Sequence, residues 1–311
     1  MAAGSKDNGP EVEATDTGVT AGGPTGIAQG GLSYTPLFRA QHEDRYRRQA
    51  LIRDYQNAYN CNLVVFIDQI SAESVTYFAE LLHGLDKARD LHLILCSPGG
   101  DGETAITLAR MAQAASKRFV VVVPESAKSA ATIFALGAHE IVMGPTSDLG
   151  PIDPQVLLPD RGFVNAKDLI AAVDRALEEV EKRPNTYPLH AAMLGGIDAT
   201  AVQFARSALN RTEDLARQAI SSNPDRTPFD VTAMYESISK PLITSPHSHG
   251  AVVGAHEAKV AGLPTTELEP TSDQWQRIWA LWTQYFAIGP IDLLRAYEGA
   301  QASQVKVIEE S

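Results

Sequence analysis

Ser129 and the pair Gly99-Gly100 are the residues whose types and settings point to chemistry. Ser129 follows the apolar run Phe119 to Val123 and opens the Ala-rich helical pattern Ala130 to Leu136. A serine at such a place is ordinarily a helix cap. The same place suits a nucleophile, because a helix begins at its positive end and the N–H of Ala130 can face a developing oxyanion. Gly99 and Gly100 come directly after the run Leu91 to Cys96. Two glycines there let the backbone turn with N–H groups outward, toward an anionic oxygen, or they serve a tight turn and nothing more. The pattern GGDG is neither GxGxxG nor GxxxxGK[ST], so a nucleotide phosphate is not expected.

Positioning these residues is the work of the elements around them. Strand, turn and helix are written twice in succession, from Leu91 and again from Phe119, with a third short run at Glu140 to Met143. That alternation predicts parallel βαβ units, whose chemistry gathers at the carboxyl ends of the strands. Before them stand a strand at Asn62 to Ile67 and an amphipathic helix from Ser71 to Arg89. A charged helix from Pro36 precedes both. Downstream, helices are expected at Ala166 to Lys182, Ala199 to Ser221 and Phe229 to Ser239, then a short strand at Ala251 to Val253 and a short helix ending at Gly262. A last helix runs from Asp273 to about Gly299, bent near Gly289-Pro290. Its Trp275, Trp279 and Trp282 form a stripe expected to pack on the body or on a neighbouring subunit.

The bulk numbers exclude several classes. A chain of 311 residues with 44% apolar and 21% charged residues is of ordinary globular composition. Its net charge of −12 disfavours nucleic acid and anionic membrane surfaces. Cys61 and Cys96 fall in or beside predicted strands and read as buried thiols, with neither metal-site spacing nor a disulfide framework. A reducing, cytoplasmic setting fits them. The first 31 residues lack the apolar core of a signal peptide, and no stretch has the length of a membrane span.

The run SPGGDGETA, followed by VPESAKSAATIFALGAHEIVMGPTSDLGPIDPQ, resembles the ClpP/crotonase superfamily. More narrowly, it is similar to the serine dehydrogenase proteinases, which are signal-peptide-peptidase-A-like serine peptidases. The similarity covers roughly Arg45 to Leu263. It implies repeated ββα/βα units around a mostly parallel sheet, with a helical C-terminal extension. The expected organisation is a disordered arm over 1–35, a peptidase domain over 36–265 and the extension over 266–311. It also implies Ser129 as nucleophile and an oxyanion hole placed at the N–H groups of Gly100 and Ala130.

The resemblance leaves the general base open. Signal-peptide-peptidase relatives use a lysine, a variant of the serine triad. Lys182, in VEKR, best matches their pattern, and Lys167, in NAKDL, competes. Lys128 adjoins Ser129 and should project away from it. A lysine base is neutral at rest, and lowering its pKa by ~3 units costs about 4 kcal/mol, so it should be buried. Lys182, among Glu178, Glu179, Glu181 and Arg183, reads as exposed. His249 falls where such relatives often carry a histidine and is a further candidate. His247 and His249 form an H-x-H, but no carboxylate or cysteine completes a metal set, so neither metal nor cofactor is expected. The reading is thus a serine peptidase acting on peptide or unfolded protein, ATP-independent by itself and homo-oligomeric. Against it stand a crotonase-like acyl-CoA enzyme, disfavoured by Ser129 in KSAAT, and a silent scaffold that binds peptides or partners.

Overall fold

Apolar runs without alternation, such as LVVFI and VVVV, are what a strand covered on both faces requires. The computed structural model describes residues 35–158, 162–244 and 252–308, and these runs are its central strands. Met1–His42 forms one unit, of which α1 (Pro36–Gln41) is described, with Thr35 Oγ1 accepting from Phe38 N at 3.3 Å. Glu43–Ser311 forms the other.

In chain order the second unit has α2 (Glu43–Tyr59), β1 (Cys61–Ile67), α3 (Ala72–Leu82), β2 (Asp90–Cys96) and α4 (Gly102–Ala114). Next come β3 (Phe119–Val123), β4 (Ser126–Ala127), α5 (Ala130–Leu136), β5 (Glu140–Met143) and β6 (Asp148–Leu149). The hairpin β7 (Gln155–Leu158) and β8 (Gly162–Asn165) leads into α6 (Ala166–Lys182), α7 (Tyr187–Met193), α8 (Ala199–Ser221) and α9 (Pro228–Ile238). The chain closes with α10 (Ala255–Val260), β9 (Thr265–Glu267), α11 (Asp273–Phe286), β10 (Leu294–Gly299) and β11 (Ser303–Val307).

Seven strands make the main sheet in the order β11-β10-β1-β2-β3-β5-β9. From β1 to β9 all pairings are parallel, and β10 and β11 add an antiparallel edge. Side chains alternate between two cores. Val64, Phe66, Leu93, Leu95, Val121 and Val123 face one, which α3, α4, α5 and α8 cover. Leu63, Val65, Ile94, Val120 and Val122 face the other, against α2 and α11.

The C-terminal extension departs from a single bent helix. The helix stops at Phe286, and Leu294–Gly299 joins the sheet beside β1 in antiparallel register. The strand is favoured there because β1 offers an open edge and Ala296 and Tyr297 are fully covered on it. Trp275 and Trp282 are buried in the second core, as the packing reading of the stripe requires, whereas Trp279 is 40% exposed. Glu298 is buried on β10. Arg48 Nε donates to its carboxylate at 2.6 Å, Tyr285 Oη at 2.7 Å and Ser303 Oγ at 2.6 Å. A buried carboxylate is tolerated because its lone pairs are met by such donors. These bonds tie α2, α11, β10 and β11 together. Among the described residues no helix is long and apolar enough to cross a membrane.

Candidate active site

The site is built where the ends of β1, β2 and β3 turn away from the sheet. Ser97–Gly100 runs beside Ser126–Ser129: Ser97 N donates to Ser126 O and Lys128 N to Ser97 O, both at 3.0 Å. On its other side Gly99 O accepts from Ile70 N at 2.8 Å, and Asp101 N donates to Ile70 O at 2.9 Å. Gly99 and Gly100 have φ of +104° and +136°, where side chains are rarely tolerated. Space forbids them as well, since a Cβ on Gly100 would lie 2.1 Å from Ile70 O.

Ser129 precedes α5 in the position of a cap, but its side chain makes no capping bond. Its backbone is at φ 51° and ψ −114°. A positive φ in a residue other than glycine costs about 1–3 kcal/mol and persists only where surrounding structure enforces it. Here the enforcement comes from the flanking bonds: Lys128 N to Ser97 O, Ala131 N to Lys128 O at 2.9 Å and Ile133 N to Ser129 O at 3.1 Å. The result turns the serine out of the strand-to-helix path. Among the described residues, the N–H groups of Gly100 and Ala130 have no hydrogen-bond acceptor, whereas Gly99 N donates to Ser97 Oγ at 3.1 Å.

Ser129, Gly100 and Ala130 line one cleft of about 400 Å³. Ile133, Ile152 and Leu215 give it apolar walls, and α8 closes one side. Two charged residues reach it. Asp153, 4% exposed, accepts from Asn165 Nδ2, and Arg211 Nε donates to Glu103 Oε1 at 2.6 Å. Asp153 stands in the GPIDPQ run on which the resemblance rests, where no residue pattern marks a role for it. Its burial beside Ser129 depends on the β6–β7 connection, and nothing in its local pattern reports that.

The basic candidates are dispersed. Lys128 points to the other side of the backbone from Ser129 and pairs with Asp148, as its adjacency to Ser129 suggested. Lys182 is at the C-terminal end of α6, 66% exposed, 3.6 Å from Glu178 and absent from the walls of the Ser129 cleft. Lys167, also absent from those walls, is at the opposite end of α6. That end abuts the cleft, because Ala166 N donates to the carbonyl of Pro154, one of its wall residues, at 2.9 Å. The Lys167 ammonium donates to Thr244 O at 3.1 Å. About 1.5 Å of rise per residue puts the two ends of this helix roughly 24 Å apart. His247 and His249 lie outside the described residues. Cys61 and Cys96 are free and buried, and burial pushes both thiols up to about 12. Among the described residues no three His, Cys, Asp or Glu side chains gather as a metal site would need.

Residues 45–182, from α2 to the end of α6, match the family described as ClpP-like SDH-type serine proteinase. The matched segment, under half of the chain, is similar to the ClpP-like serine proteinases. It holds Ser129, both glycines, Asp153 and the two lysines of α6. The chain is also similar to an uncharacterized protein of Methanocaldococcus jannaschii, at 26% identity over 142 residues, 41% of this chain. The alignment takes in 48% of that protein, so the chain spans about half the length of the curated relative it matches. Among solved structures it is similar to ClpP1 from Listeria monocytogenes, with 16% identity and a TM-score of 0.38 over 69% of this chain and 95% of that one. It is likewise similar to the 1510-N membrane-bound stomatin-specific protease, S97A mutant, with 22% identity and a TM-score of 0.30 over 35% and 57% of the two chains. The family match supports a serine peptidase in general.

Proposed function

We propose that the chain hydrolyses peptide bonds with Ser129 as nucleophile. Ser129 Oγ attacks the carbonyl carbon, the N–H groups of Gly100 and Ala130 receive the oxyanion, and a base takes the hydroxyl proton and returns it to the leaving amine. Water then releases the acyl group by the same route in reverse. The observation that carries this reading is the backbone of Ser129 itself. A strained serine, uncapped, beside two open N–H groups and an apolar cleft, is what an exposed nucleophile needs and what a structural cap does not.

For the base we propose Lys167 in place of Lys182. Lys167 sits at the end of α6 that abuts the cleft, and it is partly shielded from water. Lys182 is well exposed beside Glu178 at the far end of the helix, away from the cleft. A serine–lysine pair is a recognised variant of the serine triad. Peptides or unfolded protein are the substrate class.

A serine-directed fluorophosphonate probe tests both parts. The expected result is labelling of the parent chain, none of Ser129→Ala, a loss of about 100-fold or more in labelling rate for Lys167→Ala, and parent-like labelling for Lys182→Ala. Equal labelling of parent and Ser129→Ala removes the nucleophile. A slow Lys182→Ala or His249→Ala beside a fast Lys167→Ala moves the base.

A further inference from the structure

The cleft at Ser129 opens into a second hollow. Phe204, on α8 and 60% exposed, lines both. Beyond it lies a volume of about 700 Å³ between β7 and the turn from Gly195 to Asp198 that precedes α8. The two hollows share their long walls. Residues Thr200 to Leu215 of α8 form one, and residues Ile152 to Leu158 form the other. At about 1.5 Å per residue the helical wall is roughly 22 Å long, which is the reach of about six or seven residues of extended chain.

Two further observations say what such a groove holds. Its charged residues are already engaged: Asp153 by Asn165, Arg211 by Glu103, and Asp198 by the N–H of Ala201, 2.7 Å away. Asp153 and Arg211 are thus taken up by side-chain partners, while Val156, Leu157 and Phe204 offer apolar surface. The rim glycines are the second. Gly195 and Gly196 have no positive φ, a Cβ on Gly196 would meet nothing within 4 Å, and one on Gly195 would come no closer than 3.4 Å to any atom. Neither turn geometry nor close packing calls for glycine there. Their smallness leaves the mouth of the hollow open.

We infer that this groove binds an extended peptide across at least six residues, with an apolar side chain seated beyond Phe204, several residues from the bond at Ser129. The inference rests on the peptidase reading for its occupant. It adds a requirement for length and for an apolar residue remote from the reacting carbonyl. Short peptides fill the cleft at Ser129 and leave the second hollow empty.

Binding to the Ser129→Ala chain tests this without turnover. The probe is a dye-labelled octapeptide alternating leucine and serine, compared by fluorescence anisotropy with its tripeptide fragment and with an octapeptide carrying aspartate for leucine. Burial of one further leucine should make the leucine octapeptide bind about ten-fold or more tightly than the tripeptide. Gly196→Phe, which fills the hollow from a position free of packing, should abolish that gain and leave the tripeptide unchanged. An octapeptide no tighter than the tripeptide, equal binding of the aspartate peptide, or a gain that survives Gly196→Phe overturns the inference. So does a change of assembly state on Gly196→Phe in sedimentation, which would make the hollow a contact between copies. Failure of the peptidase reading is separate, since it shows as an unlabelled parent chain while octapeptide binding stands.

Discussion

A Cβ placed on Gly99 would fall 2.8 Å from the Cβ of Ser129 and 2.7 Å from the carbonyl oxygen of Lys128. The turn after β2 thus lies against the turn between β4 and α5 with no room for a methyl group. Gly99→Ala should cost about 2–4 kcal/mol, from the clash and from a φ of +104° that alanine resists. Ser129→Gly tests the other side of the contact. It should unfold at higher denaturant than Ser129→Ala, by about 1 kcal/mol, because glycine accepts the positive φ and alanine retains its strain. Equal stability of the two variants would mean that the backbone of Ser129 is not strained.

Lys128 and Asp148 form the other fixing of this turn. The Lys128 ammonium pairs with one carboxylate oxygen of Asp148, and the other oxygen accepts from Val253 N at 3.0 Å. The residue before Ser129 is thereby tied to β6 and to the strand segment that bridges it. Lys128→Met should lower kcat about ten-fold with KM little changed, since the loss is in the placing of Ser129 and not in the cleft. Lys128→Arg should recover most of that loss, which a simple loss of stability would not explain. A change confined to KM would separate Lys128 from the placing of Ser129.

His92, on β2, gives stability a pH dependence that owes nothing to the site. Burial holds its imidazole down to about 4, and Nδ1 faces Tyr55 Oη at 2.8 Å. Above the ordinary value of 6.5 the ring is neutral folded or unfolded, so its contribution is fully present there. As pH falls, the unfolded chain takes up the proton first, and stability is lost between about 6.5 and 4. Urea unfolding should show the parent losing about 2–3 kcal/mol more than His92→Gln between pH 7 and 4.5. Parallel curves for the two chains would rule this out.

Much of the scaffold was legible because it is local. The unbroken apolar runs at Asn62–Ile67, Leu91–Cys96 and Phe119–Val123 each announce a strand covered on two faces, and α6 and α8 begin and end at the residues their periodicity marks. The C-terminal strands were hidden. Leu294–Gly299 continues a helical pattern in sequence and becomes a strand because β1 has an edge to pair. The lysines of α6 illustrate a different limit. Motif likeness singles out Lys182 and Lys167, while the length of α6 holds them at opposite ends of a helix roughly 24 Å long.

By itself the sequence determined the βα alternation, the glycine turn after β2 and the serine at the head of α5, since strand periodicity, glycine φ and helix capping are all set within a few residues. Only the tertiary structure decided that Ser129 is strained, that Asp153 shares its cleft and that Phe204 joins this cleft to a second hollow. Those facts depend on contacts between segments far apart along the chain, where close packing and the positions of neighbouring backbones, and not local propensity, set the energy.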